Sequence, residues 1–271
     1  MNILYLSKLS GNPWAGPTYS VPEQIYAQSK YDNVFWLNLN HNKIDAWCKE
    51  KGFFHNLDSG FSKIAELPCP FNRPDLAIVE RMYAYPFSKI IKDLQCCKIP
   101  YIIVPRGELC ESSQKKKNLK KVIANFIWFN KMIDRALAIE YLSENEYTSS
   151  TKWKCKKHLI IPNGINVPNQ NKHIFSTGRI QASFIGRLDL YHKGIDILLG
   201  AISQIQENLR NNHFHLTLYG PILHEEGNIL NKLIEEKKIQ DLVSVNEGVY
   251  GEEKKQILTN TDLFVLTSRM E

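Results

Sequence analysis

The residues best equipped for chemistry stand together in Phe184-Ile185-Gly186-Arg187-Leu188-Asp189-Leu190-Tyr191-His192-Lys193-Gly194-Ile195-Asp196. An apolar run that reads as a buried strand ends in Gly-Arg, a short loop follows, and Lys-Gly opens a helical pattern. A strand end, the amides of a helix start and two cations would then converge on one spot, an arrangement that suits a phosphate or diphosphate. Arg187 offers a planar fork for phosphate oxygens and Lys193 a point charge. The alternative is a surface Arg and Lys flanking an ordinary strand–helix loop. The coincidence of both cations at one junction is what weighs against it.

Two further pairs follow predicted strands. Glu80-Arg81 comes after Leu76–Val79, and Arg106-Gly107-Glu108 after Tyr101–Val104. Glu80 is a candidate base or a positioner of an acceptor hydroxyl, and a salt bridge with a neighbouring Arg is the plainer reading. After the first apolar run comes Ser10-Gly11-Asn12-Pro13-Trp14-Ala15-Gly16-Pro17-Thr18-Tyr19-Ser20. Its glycines would let a backbone approach a ligand closely, and Thr18 or Ser20 is expected to cap the helix that follows; a plain turn is the alternative. The loop is not G-x-G-x-x-G, which gives a nicotinamide cofactor little support. The six cysteines at 48, 69, 96, 97, 110 and 155 form no C-x-x-C and no zinc-like spacing with His. Reduced cytosolic thiols and no metal site are the expectation. His41, His55 and His158 carry no motif.

These residues need elements to position them. Strands are predicted at Asn2–Ser7, Val34–Leu39, Leu76–Val79, Tyr101–Val104, Leu137–Tyr141, Leu159–Ile161, Ala182–Ile185, Phe214–Tyr219, Leu242–Val245 and Leu263–Leu266. Most are near-continuous apolar runs, as expected of strands covered on both faces. Helical patterns lie between them, among them Ile195–Leu209, Ile229–Lys237 and Glu252–Thr259. Alternating strand and helix predicts parallel α/β sheets, whose ligands sit beyond the carboxyl ends of the strands. A polar, turn-rich stretch at Asn163–Arg179 marks a joint between two Rossmann-like units, 1–170 and 171–271. Met1 leads straight into Asn2–Leu6, too short and unflanked for a secretory leader, so a first strand and no leader are expected.

The chain has 271 residues, 43% apolar and 23% charged, with a formal charge of +6. That composition excludes a disordered or fibrous chain, and no apolar stretch approaches the roughly 18 residues of a membrane span. The basic excess is concentrated in residues 111–170, with 11 basic and 5 acidic side chains. No nucleic-acid-binding motif accompanies it. Lys115-Lys116-Lys117-Asn118-Leu119-Lys120-Lys121 leads into Val122-Ile123-Ala124-Asn125-Phe126-Ile127-Trp128-Phe129. Either 115–129 docks on an anionic membrane surface, or it is an ordinary amphipathic helix with its aromatics in the core.

Taken in order, the motifs resemble those of retaining GT-B glycosyltransferases of family 4. Gly186-Arg187…Lys193-Gly194 is similar to the family's donor-diphosphate motif, and Pro162-Asn163-Gly164 to its interdomain strand end. Leu218-Tyr219-Gly220-Pro221 resembles its second strand end and Gly248-Val249-Tyr250-Gly251-Glu252-Glu253 the segment that meets the nucleotide base. Thr261-Asp262-Leu263-Phe264-Val265-Leu266-Thr267-Ser268-Arg269-Met270-Glu271 resembles the strand leading into Glu-x7-Glu. Pro74-Asp75-Leu76, Pro105–Leu109 and Leu142-Ser143-Glu144-Asn145-Glu146 fit the polysaccharide-building branch. Relatives carry a His near Glu80; this sequence does not.

The resemblance implies two Rossmann-like domains with a cleft between them, the second incomplete. It implies transfer of a sugar from a nucleotide-sugar to an acceptor hydroxyl with retention, in surface polysaccharide or lipopolysaccharide assembly. Arg187, Lys193 and Glu271 would be catalytic, Glu271 orienting the donor sugar. Gly186, Gly194, Gly220, Val249 and Tyr250 would bind the donor, and Gly16, Glu80 and Arg106 would lie on the acceptor side. It further implies no metal or cofactor, a glycan or lipid-linked glycan acceptor, no nucleic acid, and a cytoplasmic chain at the inner face of the plasma membrane. Glu271 is the first carboxylate of Glu-x7-Glu, so the second is expected to be missing, as in a fragment or a shortened relative. The rival reading is a nucleotide- or glycan-binding remnant without turnover.

Overall fold

The computed structural model describes 1–271 apart from 49–51, 86–87, 116–117, 151–152, 154–156, 166, 168–177, 222–223 and 270–271; for 118–120 and 224–226 it describes the backbone alone. The chain divides into two compact units, Met1–Ile165 and Asn166–Glu271.

The first unit is built on a seven-stranded sheet: β1 (Asn2–Ser7), β2 (Asn33–Asn38), β3 (Phe54–Asn56), β4 (Leu76–Glu80), β5 (Tyr101–Val104), β6 (Ala138–Tyr141) and β7 (His158–Ile160). Their order is β3-β2-β1-β4-β5-β6-β7, and every neighbouring pair is parallel. Alternate residues of the central strands β2, β1, β4, β5 and β6 feed two cores, whereas β7 at the edge is exposed. Ile3, Tyr5, Trp36 and Ile78 pack on one face with Val21 and Ile25 of α1 (Pro17–Ser29). Leu4, Leu6, Phe35, Leu37 and Val79 pack on the other with Ile90, Ile91 and Leu94 of α2 (Lys89–Cys96). Burial on both faces is why these runs are apolar throughout. Short helical segments lead to β6 and β7: α3 (Glu111–Lys115), α4 (Asn118–Ala124), a π-helical turn over Asn125–Phe129, α5 (Asn130–Asp134) and α6 (Glu144–Thr148).

The second unit carries a four-stranded parallel sheet of β8 (Ile180–Ile185), β9 (Phe214–Tyr219), β10 (Val243–Asn246) and β11 (Leu263–Phe264), in the order β10-β9-β8-β11. Helices α7 (Ile195–Gln204), α8 (Gln206–Asn211), α9 (His224–Glu236) and α10 (Gly251–Asn260) connect them. Ala182, Phe184, Leu216 and Leu218 form the core with Ile195, Leu199, Ile202, Leu230 and Ile234.

Several elements differ from expectation, among them the last strand, which spans Leu263–Phe264 rather than Leu263–Leu266 and is exposed. β3 reads Phe-His-Asn, half-buried and without an apolar run; it is held by pairing with β2 and by Phe35 stacked on His55 at 4.2 Å. The helix expected over Ile195–Leu209 breaks at Ile205, which leaves helical geometry (φ −116°, ψ 19°) with its side chain exposed. Neither Thr18 nor Ser20 caps α1. Gly16 is the N-cap, Pro17 supplies a pre-set first turn, and the two hydroxyls donate to the Asn12 and Gly16 carbonyls.

Both strand orders reverse once, between β1 and β4 and between β8 and β11. Loops at such reversals diverge and leave room for ligands beyond the strand ends. The residues just past β4, β5, β8 and β11 therefore define where to look.

Candidate functional site

In the second unit the strand-end loops are stitched together by main-chain bonds. The Gly186 amide donates to Tyr219 O (2.9 Å), Leu188 N to Pro221 O (3.2 Å) and Gly220 N to Asn246 O (3.2 Å). Two glycines are sterically required. Gly194, the N-cap of α7, is left-handed (φ 62°), and a Cβ there would lie 2.1 Å from Thr267 O. A Cβ on Gly220 would lie 1.7 Å from Gly186 O. Gly220→Ala must force β8 and β9 apart at their carboxyl ends. We expect it to destabilise the second unit by about 3 kcal/mol, measured as a lower urea midpoint; an unchanged midpoint would contradict this packing.

The 186–194 loop is organised around the buried Asp189. Its carboxylate accepts from the His192 amide (2.8 Å), the His192 ring (2.8 Å) and Arg187 Nη2 (3.2 Å). Burial pushes this carboxyl up, but the His192 bonds and the Arg187 charge outweigh it and hold it below the usual range. Arg187 is half-exposed and keeps its remaining surface toward solvent. Lys193 follows, its carbonyl and that of Gly194 accepting from Thr267 Oγ1 at 3.2 and 3.1 Å. Val249 is buried, and the Tyr250 hydroxyl packs over Gly248 beside Pro221. Gly186, Arg187, Lys193, Gly194, Gly220, Val249 and Tyr250 thus all lie at the carboxyl edge of one sheet. Glu271 lies outside the described residues.

The sequence suggested helix-start amides open to a phosphate, but not all of them are. Asp196, in the first turn of α7, accepts from Ile197 and from its own amide, and its carboxyl is gripped by Arg269 through two bonds of 2.7 and 2.8 Å. The Arg269 guanidinium, ahead of those amides, holds the Asp196 carboxyl below the usual range against the push of desolvation. Asp189, Asp196 and Arg269 carried no assigned role in the sequence. The available signal was that Arg269 falls just after a predicted strand.

In the first unit, Glu80 and Arg106 form a buried two-bond ion pair, Nε–Oε2 2.6 Å and Nη2–Oε1 3.3 Å, with side-chain exposures of 0% and 5%. Arg106 also donates to Ser20 Oγ (3.2 Å), Gln24 Oε1 (3.1 Å) and Asn163 Oδ1 (3.0 Å), so all five of its N–H groups have acceptors. Burial pushes the Glu80 carboxyl up and the Arg106 charge pulls against it. Arg81 (φ 69°) and Arg106 (φ 50°) are both left-handed, costing about 1 kcal/mol or more each, and both follow strands β4 and β5. Glu108 latches the two loops together, accepting from Arg81 Nε (2.9 Å) and from the Met82 (2.6 Å) and Tyr83 (2.9 Å) amides. Gly16 is exposed, and a Cβ there would meet nothing within 4 Å.

Sequence reasoning missed Glu140, a carboxylate inside the apolar strand β6. It is buried, and Gln24 Nε2 reaches it at 3.5 Å. Burial first, then the Glu80 charge, pushes it up to about 7, against the pull of Arg106 and Gln24. In the unfolded chain it titrates near 4.3. The folded chain therefore keeps a proton that the unfolded chain releases, and stability falls as pH rises from about 4.3 to 7. Glu140→Gln removes that loss. We expect the variant to match the native chain at the acid end and to exceed it by about 3–4 kcal/mol above pH 7. Melting temperatures from pH 5 to 8 check this, and an offset independent of pH would contradict it.

The basic segment has two faces. Phe129 is buried and Trp128 packs partly on the core, whereas Val122, Ile123, Ile127 and above all Phe126 (84% exposed) face solvent. Its aromatics therefore do not all fill the core. Lys121 lies 5.1 Å over the Tyr83 ring, while Lys116 and Lys117 lie outside the described residues. Among the described residues no helix is long and apolar enough to cross a membrane. The five described cysteines, Cys48, Cys69, Cys96, Cys97 and Cys110, are free thiols; Cys155 lies outside the described residues.

Residues 168–271 match the family model described as Glycosyl transferases group 1. No curated protein sequence matches the chain. Among solved structures, Anabaena Alr3699/HepE in complex with UDP and glucose is 16% identical, with a TM-score of 0.67 over 99% of this chain and 74% of that one. The lipopolysaccharide outer core galactosyltransferase WaaB is 13% identical, with a TM-score of 0.66 over 100% of this chain and 75% of that one. WaaG, a glycosyltransferase involved in lipopolysaccharide biosynthesis, is 12% identical, with a TM-score of 0.58 over 100% and 76%. At these identities the likeness establishes the fold: two parallel-sheet α/β units of the GT-B class.

Proposed function

We propose that the chain transfers a sugar from a nucleotide-sugar to an acceptor hydroxyl with retention of anomeric configuration, in surface polysaccharide or lipopolysaccharide assembly. The observation that carries this is that the group 1 match falls on residues 168–271, the stretch that gathers Arg187, Lys193 and Gly194 at one sheet edge.

As a glycosidic bond to a diphosphate breaks, negative charge grows on the departing phosphate oxygens. Cations already in place stabilise that charge more than the ground state and so lower the barrier. Arg187 is suited to this role because its Asp189 contact is a single half-exposed bond of 3.2 Å. Such a contact is worth little in water, so the fork turns to a phosphate at small cost. Lys193 adds its charge from the same loop. The chemistry asks for no metal or cofactor, since these cations supply the countercharge. Gly186 and Gly220 keep the strand ends low enough for a ligand to approach, and Val249 and Tyr250 line the nucleotide side. Glu271 would orient the donor sugar through its hydroxyls.

The first unit would receive a glycan or lipid-linked glycan acceptor near Gly16. Glu80 and Arg106 serve it by holding α1, β4 and the loop after β5 in register, because their bonding groups are spent on each other and on Ser20, Gln24 and Asn163. The exposed stripe Val122, Ile123, Phe126 and Ile127, which follows the lysines of 115–121 in the sequence, would rest on an anionic bilayer, keeping the chain on the cytoplasmic membrane face.

Titration calorimetry with UDP- and GDP-hexoses tests the donor part, and incubation with lipid-linked glycan tests transfer. Donor binding with a glycosylated product supports the proposal. Binding without product, across a panel of acceptors, points to a binding remnant. No donor binding at millimolar concentration overturns it.

A further inference from the structure

The loop after β11 reaches back over the loop after β8. The Arg269 amide donates to His192 O (3.0 Å), its Nη1 to Tyr191 O (2.7 Å), and its guanidinium lies 4.7 Å over the Tyr191 ring. Through its two-bond grip on Asp196 the same side chain reaches the first turn of α7. Two residues earlier, Thr267 holds the Lys193 and Gly194 carbonyls. Residues 191–196 are therefore fastened from one side by a segment more than 70 positions away in the chain. These residues meet because β11 pairs with β8 at the reversal of strand order.

Asp196 poses an electrostatic difficulty for the anion site. A carboxylate in the first turn of a helix is stabilised by the helix end, but it takes amides that a phosphate would use and repels the phosphate charge. Around this loop stand Arg187, Lys193 and Arg269 against Asp189 and Asp196, with His192 beside Asp189. Among the described residues of this loop and its strap, the cations no longer outnumber the carboxylates once Arg269 is removed.

We propose that Arg269 is a positioning residue for the anion site: it neutralises Asp196 and pins the 191–196 segment, so that a diphosphate meets a net cationic edge. This rests on the reading of the second unit as a nucleotide-sugar site.

The test is UDP binding by calorimetry at low salt for the native chain, Arg269→Ala, Arg269→Lys, Asp196→Asn and the double variant Arg269→Ala/Asp196→Asn. Arg269→Ala should weaken binding about tenfold. The double variant should return to within about threefold of Asp196→Asn, because the uncompensated charge is gone. Arg269→Lys, which keeps the charge without the fork, should retain most of the affinity. Native affinity in Arg269→Ala would overturn the proposal and leave the donor reading standing. So would a double variant as weak as Arg269→Ala, with both folded by circular dichroism. If Arg269→Ala does not fold, Arg269→Lys and the double variant decide in the same way. A native chain that binds no UDP overturns the donor reading itself, and this inference with it.

Discussion

Arg187→Ala and Lys193→Ala should each weaken UDP or UDP-sugar binding by about 10–100-fold, the worth of one charge-assisted hydrogen bond to phosphate. The loss should shrink as salt rises, since a half-exposed cation such as Arg187 is screened. The two variants should differ in one respect. Arg187→Ala also releases the Asp189 carboxylate from its only guanidinium contact among the described residues, leaving an anion beside the ligand. Arg187→Lys should therefore recover only part of the affinity, because a point charge does not replace a fork. Calorimetry across a salt series measures this; equal binding by native and variant chains would remove both residues from the site.

Arg106→Ala should destabilise the first unit by about 3–5 kcal/mol, the usual consequence of leaving one member of a buried ion pair alone. Glu80 would be left buried, with its desolvation no longer opposed by the guanidinium. Gln24, Ser20 and Asn163 would lose a donor in the same step. A paired change, Arg106→Met with Glu80→Leu, should regain much of the loss, because removing both charges removes the desolvation cost as well. Urea unfolding followed by near-UV absorption of the first unit's tryptophans would register the difference. A shift below about 1 kcal/mol for Arg106→Ala would mean that the pair contributes little to the fold.

The sequence was most legible where one physical rule acted alone. Runs such as Asn2–Ser7 and Tyr101–Val104 coincide with β1 and β5, because burial on both faces demands apolar side chains in succession. β3 escaped notice because Phe-His-Asn carries no such run and exists through its partner strand. Arg187 and Lys193 stood out because a strand end and a helix start are local features. The Arg269–Asp196 pair did not, because it depends on β11 lying beside β8, and strand order is not written in any short stretch of chain. Glu140 left a usable trace, a lone carboxylate within Leu-Ala-Ile-Glu-Tyr. An ionisable group inside a buried run calls for a partner or a proton, and here it sits beside the Glu80–Arg106 pair.

Every functional role given to the second unit requires a nucleoside diphosphate to settle at the carboxyl edge of the four-stranded sheet. Hydrogen exchange of the native chain with and without saturating UDP tests this directly. Slowed exchange is expected in 186–198, 218–220 and 248–250, with the first unit's sheet unchanged. No slowing in those three segments, or slowing confined to residues 1–165, would contradict it.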